Sequence, residues 1–160
     1  MPAKGTRKRS EHYVNNKEFL YAIVQYKADV KAAEVAGDPK PRITNYLGEC
    51  FVKIATHLSY KPNFVNYMFR EDMISDGIEN CVQYIHNFNP EKSTNPFAYF
   101  TQIIHYAFLR RIQKEKKQME IREKIIEKSG YDEVMHVDDD GGFSSVYNSI
   151  KEAVQTKMNQ

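Results

Sequence analysis

Residues Arg70–Lys117 read REDMISDGIENCVQYIHNFNPEKSTNPFAYFTQIIHYAFLRRIQKEKK. Met73, Ile74, Gly77, Ile78, Cys81, Val82, Ile85 and Phe88 recur at steps of one, three and four, the period of one apolar stripe on an α-helix. Asp72, Asp76, Glu79, Asn80 and Gln83 fall opposite and make a polar, acidic face. Asn-Pro-Glu-Lys-Ser-Thr at 89–94 is turn chemistry. Asn95 before Pro96 is a cap followed by proline at the first helical position. The helix that follows buries Phe97, Phe100, Ile104 and Phe108. Its other side carries Tyr99, Ile103 and Tyr106, then Arg110, Arg111, Lys114, Lys116 and Lys117. Two adjacent amphipathic helices, one with an acidic face and one with an aromatic-then-basic face, are the frame of the chain.

The flanking sequence is helical too. Asn15-x-x-Glu18 has the form of a capping box. Phe19, Leu20, Ile23, Val24, Lys27 and Val30 share a side of the first helix, which Gly37-Asp38-Pro39 and Pro41 should stop near Ala36. A second helix opens at Thr44 or Asn45, runs through Tyr46, Leu47, Cys50, Phe51, Ile54, Ala55 and Leu58, and ends by Pro62. Phe64, Tyr67, Met68 and Phe69 lie in a short segment that could add one or two helical turns. Beyond Lys117, Met119, Ile121, Ile125 and Ile126 keep some helical period until Ser129-Gly130. No period-two pattern persists and there is no internal repeat. The expected fold is all-α, a bundle of about four main helices around one core. The expected organisation is a disordered basic tail over 1–12, a helical domain over 13–128, an acidic linker over 129–142 and a terminal amphipathic helix over 143–160.

A chain of 160 residues is long enough for one domain with a real core. The net charge of +2 says little about partners, but its distribution says more. Lys4, Arg7, Lys8 and Arg9 make a basic start. Arg110 to Lys128 holds eight Lys/Arg against four Glu, and Asp132, Glu133, Asp138, Asp139 and Asp140 make a late acidic block. No apolar run has membrane-spanning length and no signal peptide is visible, so an intracellular location is expected. Cys50 and Cys81 both fall on apolar faces and read as buried free thiols.

Catalytic and metal constellations are missing from the pattern. The five histidines, His12, His57, His86, His105 and His136, form no His-x-x-x-His pair, and His57 and His86 read as surface residues at helix ends. The cysteines are not in a Cys-x-x-Cys arrangement, there is no glycine-rich phosphate loop, and Asp138–Asp140 read as solvated linker. No enzyme activity, metal or cofactor is expected, which favours a binding protein. On pattern alone the acidic face could be ordinary solvated surface, and the basic helix end could simply complement the helix dipole.

The central stretch resembles the second conserved region of bacterial sigma factors. The resemblance lies in Asp72-x-Ile74-x-Asp76-Gly77-Ile78, Phe88-Asn89-Pro90, Phe97-Ala98-Tyr99-Phe100 and Arg110-Arg111-Ile112, spread over about fifty residues. It is closer to the late-transcription sigma factors of T-even-type phages. There it also takes in Tyr13-Val14-Asn15-Asn16-Lys17-Glu18, His86-Asn87-Phe88 and Asn95-Pro96-x-Ala98-Tyr99, from Tyr13 to Lys117. This resemblance implies a specificity subunit that binds bacterial RNA polymerase core in the cytoplasm of an infected host and directs recognition and melting of a −10-like, A·T-rich late promoter element. It implies that Asp72, Ser75, Asp76, Glu79 and Gln83 face the clamp helices of the largest polymerase subunit. It implies that Tyr99, Ile103 and Tyr106 lie at the melting positions, and Arg110, Arg111 and Lys114 at promoter phosphates.

The chain departs from the family in two respects. Primary sigma factors place Trp at the melting face, where this chain has Ile103 and Ile104. The domain that reads the −35 element is not expected in 160 residues. The phage members replace it by tethering to the sliding clamp, with a coactivator as a further possible partner. Phe143, Val146, Tyr147 and Ile150 would serve as the tether here, although Lys157-Met158-Asn159-Gln160 departs from the tethering motif. Two other classes fit the same helices: a polymerase-binding adaptor, either anti-sigma or coactivator, and a small helical DNA-binding repressor.

Overall fold

Local chemistry at the helix ends sets the elements. In the computed structural model, which describes residues 12–129 and Glu152, α1 spans Asn16–Ala36. The Asn15 side-chain oxygen accepts from the backbone N–H groups of Lys17 and Glu18 at 3.0 and 3.4 Å. At the other end Gly37 takes a left-handed φ of 76°, which lets the Asp38 N–H reach back to the Ala33 carbonyl at 2.9 Å. Helix α2 spans Asn45–Ser59 and is capped by Thr44, whose hydroxyl accepts from the Leu47 N–H. Helix α3 spans Arg70–Tyr84 and tightens into a 3-10 turn over Ile85–Asn87. Helix α4 spans Pro96–Lys128, with Asn95 accepting from the Ala98 N–H and Pro96 in the first turn. The all-α bundle is as expected, and the described residues hold these four helices and no strand.

The core is built on phenylalanine. Phe19, Phe51, Phe88 and Phe100 are fully buried, with ring centroids 4.9 Å apart for Phe51–Phe100 and 5.5 Å for Phe19–Phe100. Such tilted pairs add about 0.5–1.5 kcal/mol each beyond the area they bury. Helices α3 and α4 run antiparallel: Cys81 lies near Tyr99, Gly77 against Ile104 and Phe108, and Asp76 against Arg111. Gly77 sits against the side chains of Ile104 and Phe108. A Cβ there would lie 3.0 Å from Ile104 Cγ2 and 3.2 Å from Phe108 Cε1.

Several expectations need correction. The stretch from 61 to 69 makes turns, with no helix: Phe64 and Val65 both bond back to the Lys61 carbonyl, and Tyr67 to that of Phe64. Met68 in that stretch is 76% exposed. Val24 and Val82, placed on apolar stripes, are exposed at the edges of those stripes, while Tyr26 is buried. The Tyr26 hydroxyl is satisfied by the Pro41 carbonyl at 3.1 Å, which is how a polar aromatic enters the core. Cys50 and Cys81 are buried free thiols, as expected. Helix α4 is continuous to Lys128, but its last buried residue is Ile112, and beyond it Met119 still lies beside Tyr67 and Phe69 of the turns before α3. Residues 1–11 of the expected basic tail, 130–142 of the expected linker, and the expected terminal helix apart from Glu152, with Phe143, Val146, Tyr147 and Ile150, lie outside the described residues.

Candidate functional site

Asp72, Ser75, Glu79 and Gln83 are exposed along one side of α3, at helical spacing, as expected. Gln83 lies over Glu79, its amide 3.5 Å from the carboxylate. Asp76, expected on the same open face, is only partly exposed and is already engaged. Its two carboxylate oxygens accept from Arg111 Nε at 2.6 Å and Nη2 at 2.8 Å, a bidentate pair across the α3–α4 seam. Arg111 also meets Glu115 at 3.3 Å, one turn further along α4. The hydrogen bonds that Arg111 donates to Asp76 lead the causes that raise the Arg111 pKa, with Asp72 adding a smaller field. Asp76 and Arg111 were expected to serve two different partners, and the structure joins them to each other. The physical reason is that the antiparallel packing of the two helices at Gly77 brings the acidic edge of α3 within reach of Arg111, whereas Arg110 stays exposed.

The aromatic face of α4 divides in the same way. Tyr99, Ile103 and Tyr106 do lie along one line of the helix. The upper part of that line is covered by the body. Tyr99 packs against Phe88 and Phe100, each with ring centroids 5.1 Å away, and burial pushes its phenol pKa up. Ile103 is half-buried against the core. Tyr106, by contrast, is 50% exposed, and Arg110 and Lys114 below it are exposed as well. The three-residue open platform expected from spacing therefore reduces to Tyr106, followed by free cations.

Two side chains that tie the helices together are not evident from the sequence pattern. Lys27, counted with the apolar side of α1, extends its ammonium to the carbonyls of His86 and Phe88. It ties α1 to the turn that joins α3 to α4, and its signal was a lysine inside an apolar stripe. Asn16 bridges the N-termini of α1 and α4, donating to the Asn95 side chain at 3.0 Å and accepting from the Phe97 N–H at 3.1 Å. His57 is exposed, with its ring 3.8 Å from that of Tyr13, and His86 is exposed in the 3-10 turn. Among the described residues no group of His, Cys, Asp or Glu has the arrangement of a metal site, and no helix is long and apolar enough to cross a membrane. The site therefore offers surfaces: acids on α3, one open tyrosine and a run of cations on α4. No protein-family model matches the chain, and no match was found among curated proteins.

Proposed function

We propose that this chain is a promoter-specificity subunit of the sigma type, binding bacterial RNA polymerase core through α3 and opening an A·T-rich promoter element with α4. The observation that carries the reading is the antiparallel α3–α4 pair. It presents Asp72, Ser75, Glu79 and Gln83 on one helix and Tyr106, Arg110 and Lys114 on the next, all exposed. The sequence resemblance over Tyr13–Lys117 supports the same assignment of faces. Exposed carboxylates steer docking onto a basic coiled coil. An exposed tyrosine gives a flat surface for a base that has left the duplex, and neighbouring Arg and Lys hold phosphate without reading sequence. Asp76 and Arg111 serve in this scheme as the strap that fixes one face relative to the other. The clamp tether and a coactivator belong to the same reading.

Transcription in vitro with purified core polymerase, on templates carrying promoters from the same genome, tests it. Initiation at defined starts that depends on both proteins is the expected outcome. A chain that binds core but directs no initiation would be an adaptor, and one that binds duplex promoter without core would be a repressor.

A further inference from the structure

Past Ile112 the outer side of α4 has an order of its own. At about 100° per residue, Arg110, Lys114, Lys117, Lys124 and Lys128 all fall within roughly 40° of one line along the helix, and Tyr106 heads the same line. Every one of these residues is exposed. The acids of this half lie elsewhere: Glu120, the nearest, is about 80° away, and Glu115 is turned toward Arg111. The ion pairs among the described residues are Arg70–Glu71, Arg111–Asp76 and Arg111–Glu115, so none of the five cations of the line is neutralised by a described carboxylate. Ile121 and Ile125 lie between the lysines, 47% and 60% exposed, and bring no charge that binding would have to desolvate. A solvated helix surface ordinarily mixes its charges at spacings of three and four. Here Glu120 and Glu127 stand three or four residues from Lys117 and Lys124 at one border, while the line itself carries cations and no acid.

We infer that this line is a backbone-binding edge for duplex nucleic acid, continuing the DNA contact from Tyr106 and Arg110 along Lys114, Lys117, Lys124 and Lys128. The inference rests on the proposed promoter-binding role and extends it from the opened step to the intact duplex beside it. From Arg110 to Lys128 the helix rises about 27 Å, the length of about eight base pairs. Lysines that pair with phosphates release counterions, so each makes binding fall more steeply with salt, and they add affinity at any sequence. Arg111, although it lies in the basic run, is not part of this edge because Asp76 and Glu115 hold it.

The test is a salt titration of a fluorescent duplex probe binding to the complex of the full chain with core polymerase. Three chains are compared: wild type, the triple variant Lys117→Ala/Lys124→Ala/Lys128→Ala, and the variant Lys116→Ala/Arg122→Ala, which removes cations off the line. The expected result is a plot of log K against log salt whose slope is shallower by about 0.9 for each phosphate no longer neutralised, or about 2.7 for the triple variant, with the off-line variant like wild type. Affinity of the triple variant should drop tenfold or more at low salt, with binding to core unchanged. An unchanged slope would overturn the inference while leaving the proposed function in place. So would the same drop per removed charge in both variants, which would mean bulk charge only. Line-dependent binding to phosphatidylserine vesicles with no line-dependent binding to duplex would overturn it in favour of a membrane surface. A wild-type chain that enters no complex with core overturns both readings.

Discussion

At the scale of single residues, the Asp76–Arg111 pair decides how the rest of the surface is read. Side-chain exposure of 27% for Asp76 and 19% for Arg111 makes the pair partly screened, so its worth lies between that of a surface pair and that of a buried one. Arg111→Met, which keeps the apolar stem, and Asp76→Asn should each cost about 1–2 kcal/mol. The double variant should cost much less than their sum, because each single change leaves the other partner unsatisfied. Urea denaturation of the four proteins measures this coupling; additive losses would mean that the pair does not act as a unit. Cys81 supports a separate expectation. Burial raises its thiol pKa well above the ordinary value of 9.0. The folded chain therefore keeps a proton that the unfolded chain gives up above about pH 9. Stability is fully present below that pH and falls as pH rises beyond it. Tyr46, pushed up to about 12 by burial and by neighbouring Cys50 and Glu18, adds a loss of the same sign at higher pH. Melting temperatures from pH 7 to 10.5 should fall less steeply for Cys81→Ala than for wild type, and equal slopes would refute the assignment.

At the scale of elements, helix ends and stripes were legible because each rests on local chemistry. Asn15 and Asn95 cap the helices they were expected to cap, Thr44 caps the helix expected to open at Thr44 or Asn45, and Gly37 ends α1 in the one backbone conformation that favours glycine. The edges of the stripes were not legible. Val24 and Val82 have the same hydropathy as their buried neighbours, and only the position of the next helix decides which of them is covered. The same holds at the candidate site. Spacing placed Tyr99, Ile103 and Tyr106 on one line, but Phe88, from the turn before α4, covers Tyr99, and Ile103 is half-buried against the core. The Asp76–Arg111 pair needs a packing register that no single helix encodes. Gly77 is the residue that sets that register, and its substitution tests it. Gly77→Ala gains about 1 kcal/mol of helix propensity and loses about 1–3 kcal/mol to overpacking against Ile104 and Phe108. The net expectation is a loss of about 1 kcal/mol, and a clear rise in stability would show that the seam has room. Gly77→Val should cost more, since its extra methyls meet the same two side chains.

At the scale of the whole molecule, the same fold that brings the two faces together also keeps them chemically separate. Asp72 and Glu79 point away from the core on α3, and Tyr106 and Arg110 do so on α4, with Gly77, Cys81, Ile104 and Phe108 packed between the helices. None of the four exposed side chains supports the core, so changing them should leave the fold alone. Charge reversal at Asp72 and Glu79 together should weaken binding to core polymerase with the melting temperature unchanged. Asp76 is unsuitable for that test, because its loss frees Arg111 and costs stability for a structural reason. Tyr106→Ala should leave core binding intact and slow promoter opening about fivefold to a hundredfold, the worth of one stacked base at about 1–3 kcal/mol. Tyr99→Ala should instead lower the melting temperature, since its ring packs edge-on against Phe88 and Phe100. A pre-opened bubble template should rescue Tyr106→Ala, because strand separation would no longer draw on stacking, and it should do nothing for the Asp72/Glu79 variant. Permanganate reactivity of unpaired thymines on duplex and bubble templates, read beside pull-down on core polymerase, separates the two defects. If the bubble rescues neither variant, or if Tyr106→Ala loses core binding, α4 does not open DNA and the division of labour between the two helices is wrong.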